Sequence, residues 1–306
     1  MKKYPEVKIL TKLSSLVLVF TLLFSAMALC SFAASAEEEF IQSVEGLDSI
    51  SDSNEWAAAV YEAVQKWEAY EAAGGAADAN ARVAAAYAVF VTERDIYDSC
   101  NTFLDNSIEI ESAGFDRNPY EVQAEIYEQS NAIYVKYKEN NKFMLFAGIS
   151  TAVIQFNDFA KEFLQQRTYC KTYVESAALA AAAKNYANAK KYIDLAAEAK
   201  KKIEITEYPG METAAAQINE AKKFISASMN TAVPFIQAVQ AIADAENGYA
   251  AMIAALSAYK SVDPTAEGVS ASYADLLEYV ENYNAAVSAA NAVAKNVNSS
   301  ALGLIP

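Results

Sequence analysis

Apolar residues recur at helical spacing along nearly the whole chain, most densely between Phe143 and Val174. There Phe156, Ala160, Phe163, Cys170 and Val174 share one face, while Asn157, Asp158, Lys161 and Gln165 fall on others. The uncharged part, Phe143 to Phe156, is shorter than the ~20 residues a helix needs to cross a bilayer. The pattern predicts a buried central helix ringed by amphipathic ones. Ahead of it, a helix over 54–73 carries Trp56, Val60, Val64 and Trp67 on one stripe and stops at Gly74-Gly75. A second, over 79–105 and capped by Asp78, brings Val89, Ile96, Cys100 and Phe103 to a shared face. Residues 106–117 read as a loop. Asn118-Pro119-Tyr120-Glu121 is a helix start, with a capping side chain, Pro in the first turn and an acid after it. The helix it opens turns Val122, Ile126, Ile133 and Tyr137 inward and breaks at Glu139-Asn140-Asn141.

Beyond the central helix, Lys184-Asn185 reads as a tight turn into an amphipathic helix. Lys200, Lys201 and Lys202 close that helix, where cations complement its dipole. Tyr208-Pro209-Gly210 breaks the chain. A helix over 211–231 follows, Pro234 starts or kinks the next, and Asp263-Pro264 turns into a last helix capped by Ser270 or Ser272. The expected fold is all-α, a multi-helix bundle of antiparallel helix hairpins around a central apolar helix. Its helical units are 37–118, 119–207 and 208–297, with a loose tail over 298–306.

The N-terminus adds an address. Lys2, Lys3, Lys8 and Lys12 precede an uncharged run from Leu13 to Ala36, which ends Ala34-Ser35-Ala36 before Glu37-Glu38-Glu39. That is the pattern of a secretory signal peptide over 1–36. The same run is long enough to serve as a retained anchor; the Ala-Ser-Ala site and the abrupt acidic start favour cleavage. Removing 1–36 takes four Lys and one Glu from 24 basic and 39 acidic residues, leaving 20 and 38, a net charge of −18. Such a chain lacks the clustered positive charge that nucleic acid requires. It does not adsorb to anionic membranes by simple electrostatics. After signal cleavage no stable membrane span is expected.

Composition then narrows the chemistry. The chain has no histidine, which removes Ser–His–Asp and Cys–His nucleophile systems, His-ligated zinc and Glu-x-x-His di-iron bundles. There is no glycine-rich phosphate loop, and Asp244-Ala-Glu-Asn-Gly248 has the wrong spacing for an EF-hand. No pair among the many carboxylates is marked out for hydrolysis. No catalytic residue, cofactor or metal site is therefore expected. Cys100 and Cys170 are the cysteines beyond the leader. A bridge between them would close a loop of about 70 residues worth ~4 kcal/mol; the alternative is two buried free thiols. Tyrosine is plentiful, at 19 residues. Tyr120, Tyr127 and Tyr134 recur on one helix, and Tyr273, Tyr279 and Tyr283 crowd another. They form either the half-buried edge of the core or a binding surface.

One internal similarity runs through the chain. Phe40-Ile41-Gln42-Ser43-Val44-Glu45 resembles Phe235-Ile236-Gln237-Ala238-Val239-Gln240, and each precedes a pair of helices in which Val64 and Trp67 fall opposite Leu256 and Tyr259. The two units, with hairpins punctuated by Gly74-Gly75 and Asp263-Pro264, resemble the alanine-rich three-helix modules of secreted and surface proteins of Gram-positive bacteria. The resemblance implies adhesive or spacer roles and transfers no site residues. The expectation is a secreted or surface-associated, non-catalytic interaction or adhesion protein that binds protein or glycan at a cell surface. The alternative is an exported membrane-active, pore-forming toxin that hides Phe143–Phe156 as its apolar element.

Overall fold

The computed structural model describes residues 32, 34–113 and 119–302. Most of the expected export signal lies outside them, as do the end of the 106–117 loop, the Asn118 cap and the last residues of the tail. Within the described residues the fold is all-α, a multi-helix bundle with no strand. The helices are α1 (34–44), α2 (Ser53–Ala72), α3 (Ala81–Ala113), α4 (Tyr120–Tyr137), α5 (Asn141–Leu145), α6 (Ile149–Ala182), α7 (Tyr186–Lys200), α8 (Met211–Gln240), α9 (Gly248–Tyr259) and α10 (Val269–Leu302). They divide into two compact units, one ending at Phe163 and the other starting at Leu164, so the division falls inside α6.

In the first unit the acidic lead-in is itself a helix, α1. Phe40 is fully buried, 4.9 Å from Trp67 and 5.5 Å from Phe90 between ring centroids, both edge-on. The carboxylates around it clamp α1 to its neighbours: Glu39 pairs with Lys66 at 2.8 Å, and Glu38 with Arg82 at 3.1 Å. Asp52 caps α2 by accepting from the Asn54 and Glu55 amides, each at 2.9 Å. The glycine pair ends α2 by division of labour. Gly74 takes the left-handed conformation (φ 87°) that an L side chain resists, and the Tyr70 ring fills the space a Cβ on Gly75 would need.

Several sequence expectations change here. Asn80, not Asp78, caps α3, accepting from the Arg82 and Val83 amides at 3.0 Å each. That helix runs on through the expected loop to Ala113. α4 buries Gln123, Ile126, Ser130 and Tyr137, and leaves Val122 exposed. The buried Ser130 is accommodated because the Asn106 amide donates to its Oγ at 3.0 Å. The apolar stretch Phe143–Phe156 is not one helix. α5 ends at Leu145, and Gly148, at φ 89°, turns the chain into α6. Nor is α6 buried all round: Ile154 is 65% exposed and Leu164 41%. Its buried stripe steps by three and four through Ile149, Ala152, Phe156, Phe159 and Phe163, and continues through Gln166, Cys170, Tyr173, Ala177 and Ala180.

In the second unit, small residues let helices approach closely: Ala177, Ala196, Ala199 and Ala214, with the Tyr173 ring beside them, join α6, α7 and α8. A larger core forms around Phe235, Val239, Met252, Ala255, Val269 and Leu276 from α8, α9 and α10. Pro234 does not interrupt α8, which continues for 30 residues. It forfeits one backbone bond, and the burial of Phe235 and Val239 just beyond it offsets the loss. Neither Ser270 nor Ser272 caps the last helix; Gly268 (φ 80°) precedes it, and Ser272 is buried inside it. The helix extends to Leu302, through much of the tail expected to be loose. The internal similarity has a structural counterpart. Phe40 and Val44 in the first unit and Phe235 and Val239 in the second are all buried. Phe40 packs on Trp67 at 4.9 Å as Phe235 packs on Tyr259 at 5.2 Å. No helix among the described residues is long and apolar enough to cross a membrane.

Candidate functional site

A buried polar cluster lies in the first unit, where α2, α3 and α5 meet the turn Leu47–Ser49. Glu93, only 5% exposed on α3, accepts from Trp56 Nε1 at 2.8 Å and from Lys142 Nζ at 2.7 Å. Lys142 also donates to the carbonyls of Asp48 (2.9 Å) and Leu47 (3.3 Å), and sits 5.8 Å from the centre of the Trp56 ring. The three ammonium donors of Lys142 and the Oε2 oxygen of Glu93 are thus spent on the protein itself. Chemically the arrangement is a clamp that fixes α5 and the 3-10 turn on α3.

A second cluster joins α3 to α4. Asp95 accepts from Lys136 Nζ at 2.6 Å and from the Tyr137 hydroxyl. Those two hydrogen bonds, Lys136 first, hold its carboxyl below the usual carboxylate range. Burial and then the bond to Asp95 push the Tyr137 phenol up. In the second unit, Asp263 accepts from the Tyr186 amide at 2.7 Å and from the Thr265 amide and hydroxyl at 2.9 and 2.6 Å. Burial raises its carboxyl pKa, and these bonds outweigh that and leave it lowered. This pins the start of α7 to the loop before α10.

The cysteines do not form the expected bridge. Both are free and buried, Cys100 in the first unit and Cys170 in the second. Burial pushes the Cys100 thiol up to about 12 and the Cys170 thiol up to about 11. Neither is a nucleophile at neutral pH. The apolar faces that suggested a bridge instead give each thiol its own core to fill.

The six tyrosines separate by burial. Tyr120, Tyr127 and Tyr134 are half-buried along the α6 phenylalanines: Tyr120 stacks on Phe163 at 5.9 Å, Tyr127 lies 5.3 Å from the same ring, and Tyr134 lies 6.3 Å from Phe156. Tyr273 is stacked on Tyr259 at 4.2 Å, and Tyr279 packs against the same core. Only Tyr283 of the six is exposed, at 37%. It stacks at 5.3 Å on Tyr249, which is 54% exposed at the start of α9. Sequence reasoning did not single out Tyr249; its position just after the Asn247 helix cap, where a side chain leaves the body, is the signal that was there to read.

Each unit also carries an open groove. In the first unit, Ile41, Val44, Ala85, Ala86 and Val89 floor a groove of ≈ 430 Å³ between α1 and α3, rimmed by Glu45, Asp48 and Arg82. In the second, Phe224, Thr231, Lys184 and Pro264 line one of ≈ 630 Å³. No group of three or more Cys, Asp or Glu among the described residues is placed to hold a metal ion. The class the fold defines is an all-α protein of packed helix hairpins. No family model, no curated protein and no solved structure matches the chain.

Proposed function

We propose that the protein is exported and works, without catalysis, as a helical interaction module at the surface of a Gram-positive bacterium. Its partner on this reading is a protein or glycan at a cell surface. The observation that carries the reading is the stacked pair Tyr249–Tyr283. Two phenol rings held 5.3 Å apart and open to solvent make a rigid platform with apolar faces and hydroxyl edges. Such a platform suits a sugar ring or an apolar side chain, and tyrosine gives contact area at low entropic cost. The apolar-floored groove between α1 and α3 supports the same reading from the first unit.

The test is direct. The purified protein is passed over surfaces coated with cell-wall glycan or with host extracellular proteins, beside Tyr249→Ala and Tyr283→Ala. Saturable binding by the native protein is expected, weakened about 30-fold by loss of one anchor worth ~2 kcal/mol. Binding that ignores both substitutions, or no saturable binding to any surface, overturns the proposal. Export is checked by sequencing the N-terminus of protein recovered from the medium. A start at Glu37 is expected, and a retained Met1 contradicts it.

A further inference from the structure

The second half of α10 leaves the body of its own unit. From Glu281 to Val297 every residue is exposed, a stretch of about 25 Å at 1.5 Å per residue. Its pattern is nevertheless that of a packed helix. Val269, Tyr273, Leu276 and Val280 step by four and three along the face that seats α10 on the core around Phe235. Tyr283, where the body ends, stacks on Tyr249. The same stepping then continues, exposed and without a core cluster among the described residues, through Val287, Ala290, Ala294 and Val297. The seam is thus an internal interface carried beyond the end of the surface it covers.

We infer that a second copy of this chain covers that seam, with the two α10 helices paired antiparallel. Orientation follows from the unit itself. In a parallel pair the seams would face each other along their whole length, yet over Val269–Val280 that face is already filled by α8 and α9. Antiparallel pairing brings only the free halves together. About a two-fold axis near residue 292, Val287 of one copy meets Val297 of the other, and Ala290 meets Ala294. The small residues then sit at the centre, where close approach is needed, with Val293 and Asn291 on its two flanks. The first unit supplies an example of such packing. There α4 runs back antiparallel along the second half of α3, pairing Asn106 with Ser130 and Phe103 with Tyr134.

Charge points to the same occupant. The chain carries a net charge of −15, so most of its surfaces repel a copy of themselves. Between residues 281 and 297 the only ionisable groups are Glu281, Tyr283 and Lys295. Both charged residues fall one position past the seam, on the side facing away from the partner. Two copies meet here without like-charge repulsion, and the acidic bodies lie at opposite ends of the pair. The inference rests on the apolar seam and its charge pattern, not on the tyrosine platform.

Sedimentation velocity on the protein purified after expression of its full sequence tests the dimer. A reversible monomer–dimer equilibrium is expected, with a Kd on the order of 10 μM, as suits an interface below ~1,200 Å². Val287→Glu with Val297→Glu changes only side chains that are exposed in one copy, so helix content should stay constant. The pair of changes should weaken association at least about tenfold. Leu195→Glu, exposed on α7, should not. Orientation is read by mild oxidation: Ala290→Cys mixed with Ala294→Cys should cross-link, and either variant alone should not. A protein that stays monomeric at ~200 μM overturns the inference, as does a dimer indifferent to the glutamates. Self-cross-linking of Ala290→Cys overturns the antiparallel pairing. A monomer that binds phosphatidylcholine vesicles through Val287 and Val297 would assign the seam to a bilayer and sink the proposal.

Discussion

Lys142→Met is the substitution that most sharply separates a structural clamp from a decorative ion pair. The Glu93 side chain is 7% exposed and that of Lys142 16%, with 2.7 Å between the charges. At an effective dielectric of ~20 the attraction is worth roughly 6 kcal/mol, most of which offsets the desolvation of the two ions. Removing the ammonium keeps the desolvation cost of Glu93 and leaves only the Trp56 N–H to balance it. The expected loss is ~3–5 kcal/mol. The exposed Asp48 carbonyl adds little, because it rehydrates, whereas the carbonyl of the buried Leu47 loses a donor and adds to the cost. Glu93→Gln combined with Lys142→Met should recover most of the stability, since the neutral amide still accepts from Trp56 and no buried charge remains. The chain has two tryptophans, Trp56 and Trp67, both in the first unit. Tryptophan fluorescence during thermal unfolding therefore reports that unit alone. At ~2–4 °C per kcal/mol, the single variant should melt about 6–20 °C below the native protein. A single variant within ~1 kcal/mol of native, or a double variant no better than the single, would refute the clamp.

Three further outcomes follow from the packing. Phe163 is fully buried on α6, so Phe163→Ala should cost ~3–5 kcal/mol, while Lys161→Ala, on the exposed face, should stay within ~0.5 kcal/mol in the same denaturant series. A thiol reagent should find Cys100 and Cys170 unreactive in the folded protein and both reactive, without reductant, once it is unfolded; a denatured protein lacking both thiols would restore the disulfide. Asp263→Asn should cost ~1–2 kcal/mol at neutral pH through the weakened cap on α7 and the loop before α10. Because the folded Asp263 pKa lies below its ordinary 3.8, its contribution is complete above that value and disappears as pH falls through the folded pKa. The gap between native and variant melts, followed by far-UV circular dichroism, should therefore close in acid, and a gap that widens there contradicts the assignment.

Helices were legible in the sequence because the three-and-four periodicity is a local property of each segment. Trp56, Val60 and Trp67 on α2, and Phe156 and Phe163 on α6, were placed on buried faces by spacing alone. The equivalence of Trp67 and Tyr259 was legible too, and each ring packs on the phenylalanine that opens its unit. What failed depended on partners distant in sequence. The stripe of α4 contains Gln123 and Ser130, which look like surface residues until Asn106 of α3 is set against Ser130. Glu93 and Lys142 were not singled out, because nothing local announces that Trp56 lies beside them. Apolar faces suggested a disulfide, but a face says only that a thiol is buried, not that another lies opposite. The break at Gly148 was hidden by an apolar run on both sides of a single left-handed residue.

Binding to immobilised cell-wall glycan and host extracellular protein, for the native protein beside Tyr249→Ala, tests the central claim most directly. The interaction reading predicts saturable binding to one class of surface, lost about 30-fold in the variant while its circular dichroism and melting temperature are unchanged. Equal binding by the two proteins, or conversion of an immobilised glycan or peptide into released fragments, would contradict it.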